Sequence, residues 1–364
     1  VKLRQRVTIK RFTKAIYKHN LAFMSDIGRK KRVTLGEVAK AAALSPAAVS
    51  RYLSGQLTLP ETTSRRIQKA IRELGYRPNH HARSLSLGRS DAIGLVVPDI
   101  NNPFFSNLAA AVERAAQARG MLMMLCATSN SLERELEYLH LLGAGVVDAL
   151  VFATNHGDPD GQLAGMLNGD SRVVLLDEDV PGTDLFKVFS DNRQGGLLAG
   201  LHLIEHGHRR IAYIGGPCDL MSARERAEGL HDAVREAGGD AAIVSELFGS
   251  YTIAHGEAAM EEILDTMPGV TAVFSASDEI LIGMLHVLRR RDMVVGRDIS
   301  IVTFDDAGQL EILAVPVTAI RQPLKAMGER ALDMAMDSLA GTRSPTVARL
   351  PVELIRRHSV AHLA

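Results

Sequence analysis

Between Val33 and Leu53 the apolar positions fall into two short helical stripes. Leu35, Val38, Ala39 and Ala42 recur at one-face helical spacing and predict a first amphipathic helix. Ser45 then stands as an N-cap, with Pro46 at the first helical position, where its missing N–H costs nothing. Val49 and Leu53 continue the buried stripe and leave Pro46, Ala47, Ser50 and Arg51 facing outward. Two such helices around a tight turn read as a helix-turn-helix whose second helix is free to enter a DNA major groove. An ordinary helical hairpin is the alternative on this pattern alone. Pro60-Glu61 opens a third helix, with Ile67, Ala70, Ile71 and Leu74 on its apolar face and Gly75 at its C′ position. The stretch 79–88 is too short and polar to hold a helix alone. It reads as a plain linker or as a segment that orders when two copies meet each other and DNA.

From Asp91 onward the pattern changes to short apolar strands alternating with helices. Strands are predicted at Ala92–Val97, Met121–Cys126, Ala149–Ala153, Val173–Leu176, Ile211–Ile214, Ala272–Ser275, Ser300–Phe304 and Val317–Ile320. Helices between them include Asn107–Arg119, Leu132–Leu142, Gly195–Glu205, Ala223–Ala237, Ala254–Leu264 and Glu279–Arg290. This alternation predicts an α/β class with doubly wound parallel sheets. So many strands are too much for one sheet, and two lobes follow. Ligands in such folds sit beyond the carboxyl ends of the strands. The loops at Pro98–Phe105, Asp177–Asp179, Phe189–Asn192, Ser277-Asp278 and Asp305-Asp306 would therefore line a cleft between the lobes.

Charge strengthens the DNA reading. The chain is neutral overall, but residues 1–90 hold 20 Lys or Arg against four acids (Asp26, Glu37, Glu61 and Glu73), a net of +16, and the remainder carries −16. A basic module on an acidic body fits a polyanionic partner, whose neutralised phosphates make binding fall steeply with salt. Only Cys126 and Cys218 occur, which gives no disulfide framework or paired-cysteine zinc motif and fits a reducing cytoplasm. No apolar run approaches the ~18–20 residues that span a bilayer. The first 23 residues carry seven basic residues and no acid. With Met24 close before the motif, residues 1–23 read as a mis-called upstream extension, or else as a disordered basic arm.

Taken together and in order, several fragments resemble the lactose-repressor (LacI/GalR) family of bacterial transcription regulators. They are Val33-Thr34-Leu35, Glu37-Val38-Ala39, Ser45 and Val49-Ser50-Arg51, then Leu74-Gly75-Tyr76-Arg77-Pro78-Asn79 and Ala82-Arg83-Ser84-Leu85. Gly94-Leu95-Val96-Val97-Pro98-Asp99-Ile100, Asn102-Pro103-Phe104-Phe105, Gly207-His208-Arg209-Arg210-Ile211-Ala212 and Phe304-Asp305-Asp306 follow. The resemblance implies a helix-turn-helix headpiece (33–78), a hinge helix (79–90) and a two-lobed core like that of periplasmic sugar-binding proteins. Its lobes would be 91–190 with 322–349, and 191–321 with 350–364, after a basic extension over 1–32. It also implies a homodimer on a palindromic operator, with dimer contacts from first-lobe helices such as Asn107–Arg119.

On that resemblance Pro46, Ala47 and Arg51 read bases, and Thr34, Ser45, Ser50, Tyr76, Asn79, Ala82 and Arg83 complete the DNA surface. Arg51 suits a bidentate pair to guanine, whereas Pro46 and Ala47 replace the polar pair of several members and offer only apolar contact. Leu85 corresponds to the leucine that wedges into the central base step from the minor groove. His80 and His81 read as phosphate or solvent contacts. The effector is expected between the lobes, at Asn102, Phe104, Phe105, Asp177, Phe189, Arg226, Tyr251, Ser277-Asp278, Asp305 and Gln322. Rings suit the apolar faces of a sugar, and carboxylates and amides grip its hydroxyls. Where many members carry Arg after the aspartate, this chain has Asp177-Glu178-Asp179, an acidic rim that argues for a neutral sugar.

The expected function is thus sugar-released repression of carbohydrate-metabolism genes. A corepressor-activated, purine-type regulator is the alternative, and a sugar-binding transport receptor a distant one. No cofactor, metal or catalytic set is expected. His202, His206 and His208 have an i,i+4 pair, but the acid precedes the second His instead of following the first, unlike zinc proteases.

Overall fold

The first three helices are set by their ends. The computed structural model describes residues 33–54, 56–76, 89–341 and 344–363. The expectations for the 1–32 extension, Met24, Asn79, His80, His81, Ala82, Arg83 and Leu85 therefore lie outside the described residues. Helix α1 (Leu35–Ala41) begins at a capping box: Thr34 accepts from the Glu37 backbone, and Glu37 accepts from Thr34 N at 2.7 Å. Helix α2 (Pro46–Leu53) is capped by Ser45 Oγ, which accepts from Ala48 N at 3.2 Å. Helix α3 (Glu61–Leu74) ends at Gly75, whose φ of +63° is the left-handed cap that glycine adopts without strain. Val38, Ala39, Ala42, Val49, Ile67 and Ala70 form the small core of this unit. Leu74 is exposed rather than on the buried face, because the stripe drifts outward in the last turn.

Residues from Arg89 onward form a separate unit built on two six-stranded sheets. Sheet A runs β11-β5-β4-β3-β1-β2, with β1 (Ala92–Val97), β2 (Leu122–Ala127), β3 (Ala149–Phe152), β4 (Val173–Leu176), β5 (Phe186–Ser190) and β11 (Val347–Leu350). Sheet B runs β12-β10-β9-β8-β6-β7, with β6 (Arg210–Gly215), β7 (Ala242–Phe248), β8 (Ala272–Ser275), β9 (Ser300–Phe304), β10 (Thr318–Arg321) and β12 (Glu353–Ile355). Every pairing between these strands is parallel except β10 with β12. The doubly wound expectation therefore holds, and β1, β4, β8 and β9 have the predicted bounds.

Four strands escape the sequence pattern: β5, β7, β11 and β12. The last three lie at sheet edges, where one face is solvated and the apolar run is broken by polar residues. In β5, one place in from an edge, the break is Lys187, which is buried because its ammonium pairs with Asp179 at 2.6 Å. Helices α4 (Pro103–Ala118), α5 (Leu132–Gly143), α7 (Asn192–Glu205), α8 (Met221–Ala237), α9 (Ile253–Thr266) and α10 (Asp278–Arg290) start one to four residues before their predicted positions or at them. Polar and proline caps, which carry no hydrophobic periodicity, account for most of these early starts. Helices α6 (Gln162–Leu167) and α11 (Leu324–Ala340) have no counterpart among the predicted elements.

The chain passes between the sheets three times: from β5 into α7, from β10 into α11, and from β11 into β12. Asp191 N donates to Leu350 O at 2.8 Å, which ties the first crossover to the third. Helices α7 and α8 pack so closely that a Cβ at Gly196 would lie 2.1 Å from Arg226 O, and one at Gly229 2.0 Å from Arg193 O. That close approach fixes the backbone from which Arg226 projects.

Candidate DNA surface and interlobe cleft

On the headpiece, Pro46, Ala47 and Arg51 are exposed on α2 and Ser50 is half-buried. The Thr34 and Ser45 oxygens are spent on capping their helices. Tyr76 is half-buried and packs against the small headpiece core.

In the two-sheet unit, the carboxyl ends of the strands bring Asn102, Phe104, Phe105, Asp177, Arg226, Tyr251, Ser277, Asp305 and Gln322 around one narrow cavity of about 30 Å³. Asn155 and Ser222 also line it, and neither carried a sequence signal. A second, larger cavity of about 520 Å³ adjoins it, sharing Phe104, Asp305 and Gln322 and adding Asn107, Asp278, Arg321 and Lys325. Phe189 lines neither cavity. It is buried in sheet A with the Arg349 guanidinium 5.7 Å from its ring centroid.

Two aspartates are aimed inward by unusual backbone. Asp177 has φ +74° and Asp305 φ +70°, conformations that non-glycine residues seldom adopt and that cost about 1–3 kcal/mol each. At Asp177 the turn closes when Glu178 N donates to Leu176 O at 3.0 Å. Asp177 Oδ1 is buried with no hydrogen-bond partner in the protein, as an acceptor meant for a ligand would be. Asp305 Oδ1 accepts from Gln322 Nε2 at 2.6 Å, and Gln322 Oε1 accepts from Ser190 Oγ at 2.6 Å. Gln322 thereby links the ends of β9 and β5 beside a crossover.

Arg226 is the buried cation facing these acids. Its Nε donates to Asn192 Oδ1 at 2.9 Å and its Nη1 to Ala276 O at 2.7 Å, while the guanidinium lies 3.7 Å from the Phe304 ring centroid. Burial pushes the Asp177 carboxyl up to about 8; Arg226 opposes this, and Glu178 and Asp305 add to it. Asp278 is pushed up to about 7 by burial and then by Asp305. The Asp305 carboxyl is raised by burial against the pull of Arg226 and Gln322. The buried setting thus favours the protonated form of Asp177.

The acid triplet 177–179 is not a rim. Asp177 faces the cavity, Glu178 turns across to the first turn of α8, and Asp179 pairs with Lys187. Around the Arg226 guanidinium stand instead carboxyls that burial shifts towards the neutral form. With the T-shaped Phe104–Phe105 pair (centroids 5.0 Å apart) and Tyr251, they offer hydroxyl partners beside apolar faces. Among the described residues no group of three or more His, Cys, Asp or Glu side chains is placed to hold a metal. His202 and His208 are buried, and burial holds both imidazoles down near 4. Among the described residues no helix is long and apolar enough to cross a membrane.

Residues 34–79 match the family of bacterial regulatory proteins named for lacI, and residues 201–360 match a periplasmic binding protein-like domain. The chain is 35% identical over 344 residues to the HTH-type transcriptional regulator CelR of Thermobifida fusca, covering 91% of this chain and 99% of CelR. It is 31% identical over 335 residues to the HTH-type transcriptional regulator GalR of Escherichia coli K12, covering 90% and 96%. Among solved structures, the CelR–cellobiose complex superposes with a TM-score of 0.68 at 34% identity, covering 90% of this chain and all of that one. The Lac repressor dimer bound to operator and the anti-inducer ONPF superposes with a TM-score of 0.80 at 25% identity, covering 91% and 100%.

Proposed function

The chain belongs to the lacI family of bacterial regulatory proteins, and on that premise we propose that it is an operator-bound repressor released by a small neutral sugar. The observation that carries the sugar reading is the interlobe cavity, where orphaned Asp177 Oδ1, Asp305 and Arg226 face Phe104, Phe105 and Tyr251. The CelR–cellobiose complex supports the same chemistry. Arg51 of α2 reads the operator, and the segment 79–90 with Leu85 couples headpiece to core. The effector shifts the equilibrium only by its preference for one lobe arrangement over the other.

The working unit is a homodimer. The outward face of α4, which the sequence singled out for dimer contacts, is polar at Glu113, Arg114 and Gln117. Exposed apolar side chains lie instead on the sheet edge β2, where Leu122 is 64% exposed beside Met124 and Leu125, and on Ile312, 82% exposed. A second copy seated on the β2 edge covers the first of these patches.

A thermal-shift screen with cellobiose, monosaccharides and hypoxanthine tests the ligand class, followed by titration of each hit against a palindromic-DNA complex. A sugar that raises the melting temperature and releases DNA is the expected result. A hit that tightens DNA binding overturns induction, and a response to hypoxanthine alone overturns the sugar reading.

A further inference from the structure

Helix α8 begins without a cap of its own. Its N-cap position is Leu220, which offers no side-chain acceptor, although the helix runs for 17 residues and presents N–H groups without helical partners at its start. The cap comes from the other lobe. Glu178, just beyond β4 of sheet A, accepts from Met221 N at 2.7 Å and from Ser222 N at 3.2 Å, and is only 2% exposed. A carboxylate on two backbone N–H groups at a helix N-terminus is favoured both by hydrogen bonding and by the helix dipole. One turn along, Glu225 of α8 receives a bidentate pair from Arg349 of β11, also in sheet A, both distances being 2.7 Å. Arg349 Nη2 also reaches Met221 Sδ at 3.7 Å. The first two turns of α8 are therefore gripped by the opposite lobe, and every partner in the grip belongs to the protein itself.

We propose that Glu178 and Arg349 form a clasp on α8 that holds the two lobes closed without an effector. The effector consequently acts on a core that is already closed, and its hydroxyls compete with or rearrange the clasp beside Ser222. Ser222 stands at the junction: its N–H belongs to the clasp and its hydroxyl lies 3.2 Å from that of Tyr251, a cavity residue. Glu178 and Arg349 are positioning residues.

The closure part of this proposal stands on the geometry alone; the competition part rests on the sugar reading above. The test is a spin-label distance between cysteines introduced at exposed Glu137 of α5 and Glu236 of α8 in a Cys218→Ser background of the full chain. In ligand-free protein the distance distribution is expected to be dominated by one short population. Glu178→Ala, Arg349→Ala and the double variant are expected to lower the closed-to-open ratio by about tenfold or more for each side chain truncated. Glu178→Gln keeps the side-chain volume and one acceptor, and should fall between. Identical distributions in parent and variants, or a parent already open, would overturn the clasp. Melting curves with cellobiose are recorded on the same samples. Variants that open while no sugar shifts any of them uphold the clasp and sink the sugar reading. Sugar shifts with unchanged distances do the reverse.

Discussion

Arg226→Lys separates the geometry of the buried guanidinium from its charge. The lysine keeps a positive charge near Asp177 and Asp305, but one ammonium cannot reach both Asn192 Oδ1 and Ala276 O as Nε and Nη1 do. Losing one charge-assisted hydrogen bond in a buried site costs about 1.5–3 kcal/mol. Exchanging the planar stack 3.7 Å over Phe304 for a point charge costs roughly 1 kcal/mol more. The expected loss is therefore about 2.5–4 kcal/mol, or some 5–15 °C in the core transition, since each kcal/mol moves a domain of this size by roughly 2–4 °C. Urea unfolding gives the free energy, and scanning calorimetry resolves the core transition from that of the headpiece. A variant within about 0.5 kcal/mol of the parent would refute this reasoning, because it would mean that charge alone holds the site.

Arg51→Ala should weaken operator binding by about 1–3 kcal/mol while leaving binding to random DNA nearly unchanged, as fluorescence anisotropy on both duplexes would show; equal losses would remove its base-reading role. Stability should depend on pH in two opposed ways. Asp177 and Asp278, at about 8 and 7 when folded against an ordinary 3.8, contribute stability at low pH that is lost as pH rises from about 4 towards 8, so Asp177→Asn should flatten the alkaline side of a melting-temperature profile. His202 and His208, at about 4 when folded against an ordinary 6.5, contribute stability above pH 6.5 that is lost as pH falls towards 4; the Asp177 contribution runs the opposite way over the same window, so Asp177→Asn should make that acidic fall steeper. Leu122→Glu with Met124→Lys should convert dimer to monomer in sedimentation velocity and abolish tight binding to a two-half-site operator. A persistent dimer would place the interface elsewhere.

Local chemistry made the headpiece legible. Its helices are short, each is started by Thr, Ser-Pro or Pro-Glu, and its apolar stripe needs only neighbours in sequence, so Val38, Ala42 and Val49 could be assigned to its core directly. The central parallel strands were legible for a similar reason: β1, β4, β8 and β9 are buried on both faces and read as mainly apolar runs. The edge strands β7, β11 and β12 were not, since half of each is solvated.

The cleft residues divide in the same way. The family resemblance pointed to Asp177, Arg226, Asp305 and Gln322, and the fold brings those four side chains to one cavity. Nothing in the sequence could show that Phe189 stays out of both cavity linings, that Asn155 and Ser222 join one, or that three consecutive acids part ways. Asp177, Glu178 and Asp179 are alike in charge and adjacent in the chain, yet a left-handed φ at the first sends one to the cavity, one to a helix of the other lobe and one to a lysine. Local patterns fix which elements form, because they depend on neighbours a few residues away. The direction and partner of a side chain are set by segments some 10 to 130 residues distant, as Lys187 is for Asp179 and Gln322 for Ser190, and only the packed tertiary structure brings those together.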